Sequence, residues 1–141
     1  DEFDELVAAA RAHDDAGLPG QALITYRRAL ALYRGDYLDG LDAAWAVLTR
    51  VRLRSLAVAA ACRIAELVAA KGDPEDSARL ARRAQQIDPD SERAGRLLAL
   101  ALDAAGDRVA ARRAAVHLRE RLDQLELRPA RETQRLFTRL E

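Results

Sequence analysis

The sequence has little aromatic content, a single cysteine and no excess of charge of either sign. Of its 141 residues, 50% are hydrophobic but only 4% are aromatic, so a core has to be built mainly from leucine, alanine and valine. That composition is typical of helical bundles. The lone Cys62 excludes a disulfide within the chain, and its alanine and isoleucine neighbours favour a small core or groove residue.

The balance of charge argues against a nucleic-acid-binding chain. There are 23 basic and 23 acidic residues, and every basic residue except Lys71 is arginine. Residues 1–70 carry two more acids than bases, and residues 71–141 carry two more bases than acids. Such a small asymmetry predicts no electrostatic footprint for DNA, although a local basic stripe stays open until the chain is folded.

Long apolar runs are also missing. No stretch approaches the roughly 20 apolar residues that a membrane-spanning helix needs. The acidic opening at residues 1–5 has the wrong charge for a signal peptide. We therefore expect a cytoplasmic protein without membrane association. A chain of this length is the size of one domain, and it buries enough surface for a stable core.

Hydrophobic periodicity predicts an all-α fold. Between Leu53 and Val68 the apolar residues recur every three or four positions, whereas Arg54, Arg63 and Glu66 fall outside that stripe. No alternating pattern indicates a strand. We expect seven helices, near residues 2–16, 21–33, 43–71, 74–86, 91–105, 108–125 and 131–140.

A repeat organises these helices. Gly72 and Gly106 are 34 residues apart, and each is followed by an aspartate that is suited to cap the next helix. Residues at equal offsets also match, as in Ile64 with Leu98 and Ala81 with Ala115. A helix-turn-helix unit of this length has the tetratricopeptide period.

An irregularity follows the first unit. Gly17 is suited to a third corner, but it precedes Gly72 by 55 residues, which is one period plus 21 residues. We therefore place an insertion from Arg34 to about Val51. Trp45, the only tryptophan, is expected to anchor this insertion in the core, with a ligand platform as the alternative. The predicted architecture is a right-handed tetratricopeptide-like stack of three units, an insertion after the first and a C-terminal capping helix.

The sequence contains no recognisable motif of a metal, catalytic or phosphate-binding site. His13 and His117 have no cysteine pair or HxxxH spacing near them, so the sequence predicts neither a metal site nor a nucleophile with its base. The glycines carry no Gly-Lys-Ser/Thr ending for a phosphate loop. We predict that the chain is not an enzyme and binds no cofactor. The arginine pairs at 27–28, 82–83 and 112–113 lie on second helices, which favours a solvated outer face over a phosphate site.

Two segments outside the repeats resemble a known family. The insertion contains Tyr33, Arg34, Gly35, Asp36, Tyr37, Leu38, Asp39, Gly40 and Leu41, followed by Trp45, Arg50, Arg52, Leu53 and Leu56. The closing segment, residues 125–137, contains a Leu-Glu-Leu-Arg-Pro stretch, then Glu-Thr and Leu-Phe. With residues 1–11, both look like the bacterial transcriptional activator domain of SARP/AfsR-type regulators. Glu126 departs from the glycine, and Arg131 from the proline, that are common in that family.

The resemblance implies one domain, residues 1–141, that regulates transcription. Family members place an OmpR-like winged helix-turn-helix before this domain, bind promoter repeats as dimers and help RNA polymerase. The winged helix is absent here, so we expect the chain to be a fragment of a longer activator. Its partners would be RNA polymerase or a second copy of itself, with DNA bound by the missing domain. The alternative is a generic scaffolding domain of a multidomain sensor or ATPase-containing regulator.

First helices of stacked repeats usually line an inner groove. By the repeat register, the positions expected to contact protein partners there are Asp4, Arg11, Asp14, Cys62, Glu66, Arg93, Arg96 and Asp103. The alternative is that these side chains are merely solvated or paired with one another.

Overall fold

The computed structural model describes residues 1–34 and 43–141, and this part of the chain contains seven helices and no strand. Each helix begins and ends within two residues of its predicted limits. None of the described helices is both long and apolar enough to cross a membrane. The helices are α1 (Glu2–Asp15), α2 (Pro19–Leu32), α3 (Ala44–Ala70), α4 (Pro74–Ile87), α5 (Glu92–Ala104), α6 (Arg108–Gln124) and α7 (Arg131–Leu140).

Glycine corners join the helices of each unit, as the sequence predicts. Gly17, Gly72 and Gly106 have φ values of 75°, 86° and 89°, in the left-handed region that favours glycine. At each corner the next residue donates its N–H to a carbonyl five residues back, the Schellman pattern that ends a helix. Asp73 and Asp107 then cap α4 and α6 by accepting backbone N–H bonds at 3.1 and 3.0 Å.

A fourth corner closes α6 in the same way but without glycine. Glu126 has a φ of 57°, and it is the one non-glycine residue with positive φ in the described ranges. Leu127 donates its N–H to the Leu122 carbonyl at 2.9 Å, which completes the same pattern. The departure from glycine at this position therefore leaves the geometry of the turn intact.

Small apolar residues let the helices approach closely. The pairs α1–α2, α3–α4 and α5–α6 form three units, and α7 packs against α5 and α6. Positions related by the 34-residue period are buried in both units: Ile64 and Leu98 are 0% and 8% exposed, and Ala81 and Ala115 are also buried. Gly95 is buried where α5 meets α6, and a Cβ there would lie 2.9 Å from a methyl of Leu118.

The insertion is in part an extension of α3. This helix has 27 residues, about 40 Å at 1.5 Å per residue, whereas α2 and α4 have 14 residues each. Before Leu53, only Ala46 of α3 is buried. Residues 35–42 of the insertion, which include Gly35 to Leu41 of the family motif, lie outside the described residues.

The prediction that Trp45 anchors the insertion in the core is wrong. Trp45 lies in the first turn of α3, and 61% of its side chain is exposed. Ala46, the next residue, is 0% exposed, so the start of α3 is covered on one side and Trp45 lies on a side that is turned away from it. The end of the α1–α2 unit is closed instead by Phe3 and Tyr33, whose ring centroids are 5.7 Å apart.

Candidate functional site

The first helices of the three units share a chain of ion pairs. Arg63 of α3 donates to both carboxylate oxygens of Asp14 on α1, at 2.5 and 2.8 Å. It also donates to Glu66 at 3.1 Å, one turn further along α3. Arg93 of α5 donates to both oxygens of Glu66, at 2.8 and 3.1 Å. Three of the predicted groove residues, Asp14, Glu66 and Arg93, are therefore brought together, and Arg63 links them.

These pairs set the electrostatics of the groove. The hydrogen bonds from Arg63 lower the pKa of Asp14 below its usual 3.8, against a smaller effect of burial. Burial raises the pKa of Glu66, but the hydrogen bonds from Arg93 and Arg63 outweigh it, so the pKa lies below the usual 4.5. Both carboxylates are thus held ionised, and the groove presents paired charges rather than an acidic or basic field.

Cys62 lies in the core and not on the groove surface. Its side chain is 0% exposed, in a cluster with Val58, Ala61, Ala84 and Ala94. Burial raises the pKa of the Cys62 thiol to about 11, so the thiolate is scarce at neutral pH. Of the two roles that the sequence allows, core residue or groove residue, the structure supports the core, because α4 and α5 cover this side of α3.

Hydrogen bonds join the α5 side of the groove to the last helix, α7. Thr133, the threonine of the closing motif, is fully buried and donates to Glu92 at 2.6 Å while accepting from Arg96 at 3.1 Å. Glu92 also accepts the N–H of Ala130 at 2.8 Å. These bonds hold the start of α7 against α5, which gives the motif a structural role and leaves Arg96 only partly exposed.

The carboxylate of Asp103 is likewise bound by other side chains of the chain. Arg108 and Arg139 each lie 3.1 Å from one of its carboxylate oxygens, and its side chain is 10% exposed. Arg139 comes from α7, so this pair closes the other end of the α5–α7 contact. Asp103 therefore contributes more to holding the capping helix than to an open surface.

The remaining predicted groove residues lie on α1. Asp4 accepts two hydrogen bonds from Arg52 of α3, at 2.9 and 2.7 Å, and these lower the pKa of Asp4. Arg11 is exposed. The predicted positions thus fall on the expected helices, but most of their charged groups already bind another side chain of the chain itself.

The sequence does not indicate Arg63, Arg52, Glu92 or Thr133 as groove residues. A signal exists for Arg63, because it lies one turn before Glu66 on the same helix and outside the apolar stripe. The partner of Arg63, Asp14, is 49 residues away. No local pattern connects positions so far apart, so that contact depends on the packing of the units.

An exposed apolar face lies outside the groove, at the start of α3. Trp45, Val47, Leu48 and Val51 are 61%, 41%, 69% and 45% exposed. Residues three or four apart share one side of a helix, so Trp45 and Leu48 lie together, as do Val47 and Val51. In the part of the chain that the structure describes, no three His, Cys, Asp or Glu side chains are grouped as metal ligands.

Comparisons with known proteins agree with this architecture. The family model of the bacterial transcriptional activator domain matches residues 1–141. The solved structure of the Sgt2 TPR domain from Aspergillus fumigatus is similar, with a TM-score of 0.70 and 19% identity, over 99% of this chain and 76% of that one. This likeness confirms the tetratricopeptide-like, all-α prediction. No curated protein matches the sequence. The matching family is one of transcriptional activator domains, and the structural likeness gives the fold.

Proposed function

Because this chain belongs to the bacterial transcriptional activator domain family, we propose that it is the protein-interaction and dimerisation domain of a transcriptional activator. In this proposal it supports promoter binding and recruits RNA polymerase in the cytoplasm. A winged-helix domain of the parent protein reads the DNA. The zero net charge of the chain supports that division, because phosphate contacts need a surplus of lysine and arginine.

The observation that carries the proposal is the exposed apolar face of α3. Monomeric soluble proteins rarely expose contiguous large apolar side chains, and tryptophan is enriched among the residues that dominate binding energy at interfaces. Trp45 and Leu48 are 61% and 69% exposed, and Trp45 is of the residue type that is enriched at interfaces. A partner that covers this face would bury the apolar surface that the rest of the chain leaves in water.

The groove is the second contact surface in this proposal. Arg11, and the exposed parts of Asp4, Arg93 and Arg96, are the groups that a partner would meet there. Because Asp4 and Arg93 already bind Arg52 and Glu66, a partner has to exchange one ion pair for another. Such exchange contributes more to specificity than to affinity, so the apolar face of α3 carries most of the binding energy.

The test uses the parent activator with Trp45→Ser and Leu48→Ser together. Sedimentation equilibrium measures dimerisation, a gel shift measures promoter binding, and run-off transcription measures activation. We expect weaker dimerisation, weaker promoter binding or reduced activation, with an unchanged fold. Val109→Ser with Leu127→Ser is the matched control, since these side chains are 60% and 53% exposed on other segments.

Each outcome has a distinct meaning. If promoter binding survives while activation falls, the face contacts RNA polymerase. If promoter binding and dimerisation fall together, the face assembles the dimer. If the domain is deleted and neither promoter binding nor transcription changes, the proposal is wrong and the scaffolding alternative replaces it.

A further inference from the structure

A basic cleft lies between the second helices of the first two units. The helices α2 and α4 form its walls, and Ile64 of α3 lies at its floor. Its volume is about 720 Å³, within the range of roughly 300–1,000 Å³ that ligand sites occupy. The ion-pair chain described above is on the first helices, so this cleft belongs to a different surface.

Five arginines converge on the cleft. Arg27 and Arg34 line one wall, and Arg79, Arg82 and Arg83 line the other. The described residues that line it include no aspartate or glutamate. The sequence predicts that the pairs at 27–28 and 82–83 form a solvated outer face, but the fold brings three of those four arginines together. Like charges that line one cleft give it a positive potential in the free protein.

A carboxylate neutralises one end of the cleft. Asp76, at the start of α4, binds Arg27 at 2.8 Å and Arg79 at 2.7 Å. In the described ranges, Arg34, Arg82 and Arg83 have no carboxylate within the 4.0 Å that defines an ion pair. Among the described residues, the guanidinium groups of Arg34, Arg82 and Arg83 therefore have no paired carboxylate, and each is able to bind one through two parallel hydrogen bonds.

Apart from Tyr33 and Gln86, the remaining lining is apolar and consists of Leu30, Ala31, Ile64 and Leu80. Because Ile64 and Leu80 are 0% and 3% exposed, the apolar surface open to an occupant comes from Leu30 and Ala31. An occupant that matches both features carries carboxylates for the arginines and apolar side chains for the surface between them. Nucleic acid fits less well, because its phosphates would meet the arginines but would leave Leu30 and Ala31 uncovered, and the chain has no net positive charge.

We propose that this cleft binds an acidic peptide segment of a partner protein, with its carboxylates on Arg34, Arg82 and Arg83 and its apolar side chains over Leu30 and Ala31. This deepens the proposed function, because it names the chemistry of one protein partner. It does not depend on the apolar face of α3, which serves a different contact. Carboxylates of a bound acidic segment would neutralise the arginines that line the cleft.

The experiment measures binding of a short fluorescein-labelled peptide of alternating glutamate and leucine to this chain, by fluorescence anisotropy. Arg82→Gln with Arg83→Gln is the variant, and Arg128→Gln with Arg135→Gln is the control, because it removes the same charge from exposed positions outside the cleft. We expect the cleft variant to lose about tenfold or more in affinity, and the control less than about twofold. Affinity should also fall as salt rises.

Two further peptides keep the proposal open to refutation even if the variant folds poorly. A glutamine-for-glutamate peptide and an alanine-for-leucine peptide should each bind the unaltered chain more weakly. The proposal is overturned if either peptide binds as tightly as the original one, or if the Arg82 and Arg83 variant keeps its affinity. It is also overturned if an equally charged DNA oligonucleotide binds more tightly, or if no peptide binds at millimolar concentration. None of these outcomes bears on the promoter and dimerisation assays, so the two proposals fail separately.

Discussion

Arg63 holds Asp14 through two hydrogen bonds, at 2.5 and 2.8 Å, across the contact between α1 and α3. Asp14 lies in the last turn of α1, where the helix dipole disfavours a carboxylate. The guanidinium offsets that cost and holds the first unit against the second. The link is therefore a structural element of the groove as well as part of its surface.

Removing this link should destabilise the chain. Asp14→Asn should lower the free energy of unfolding by about 1–2 kcal/mol, because the partly buried Arg63 loses two charge-assisted bonds. Urea unfolding measures the change. Asp15→Asn is the control: Asp15 is exposed at the end of the same helix, so its loss should change stability by less than about 0.5 kcal/mol. In a double-mutant cycle with Arg63→Gln, purely additive effects would contradict the pairing.

The groove carboxylates predict a loss of stability in acid. Asp14 and Glu66 have pKa values below their ordinary 3.8 and 4.5, so the unfolded chain binds protons first as the pH falls. Their stabilising effect is complete above the ordinary values and is lost as the pH falls through the lower, folded values. Denaturant unfolding between about pH 6 and pH 3 should show this decrease. Glu66→Gln should flatten the curve, and an unchanged slope would show that Glu66 does not contribute.

A glycine in the turn after α6 should make the chain more stable. Glu126 has a φ of 57°, which costs a residue with a side chain about 1 kcal/mol relative to glycine. Glu126→Gly should raise the free energy of unfolding by about 0.5–1 kcal/mol, measured by thermal and urea unfolding. Glu120→Gly is the contrast: this residue is inside α6, where glycine should destabilise by about 1 kcal/mol. Destabilisation by both would contradict the geometry of the turn.

Trp45 gives a direct readout of the apolar face. It is the only tryptophan and is 61% exposed, so monomeric chain should emit at long wavelength and be quenched readily by iodide. Trp45→Ser should change the free energy of unfolding by less than about 0.5 kcal/mol, because no core contact is lost. A blue shift and protection from quenching should accompany any self-association through this face. Emission typical of a buried indole in dilute monomer would contradict the exposed position.

Cys62 should report on opening of the stack. Its thiol is 0% exposed, and burial raises its pKa to about 11, so a thiol reagent should react only when α4 or α5 separates from α3. The labelling rate should rise with urea in parallel with unfolding. Cys62→Ala should cost about 1 kcal/mol for the lost packing. Rapid labelling of the folded chain at neutral pH would contradict the buried placement.

Local chemistry explains why so much of the fold is predictable. Gly17, Gly72 and Gly106 mark the corners because they need positive φ, and the apolar spacing of three and four between them defines each helix face. The aspartates after Gly72 and Gly106 cap the next helices. Each of these signals acts within a few residues, so a single sequence displays them.

Contacts between the helix-turn-helix units cannot be predicted from such local signals. Asp14 and Arg63, or Arg27 and Asp76, are 49 residues apart, and only the stacking of the units brings them together. The sequence predicts Trp45 in the core because large aromatics usually bury their surface. Which side of the start of α3 is covered depends on packing, and Ala46 is buried there while Trp45 is 61% exposed.

The length of α3 gives the domain a lever arm. Trp45 precedes Arg63 by 18 residues, about 27 Å along an uninterrupted helix. If a partner tilted this helix by about 10° around the Asp14 and Glu66 contacts, the Asp4–Arg52 pair would break and the tip that carries Trp45 would swing by about 5 Å. That displacement is about one helical turn, and it would move the apolar tip without breaking a single backbone bond of the helix.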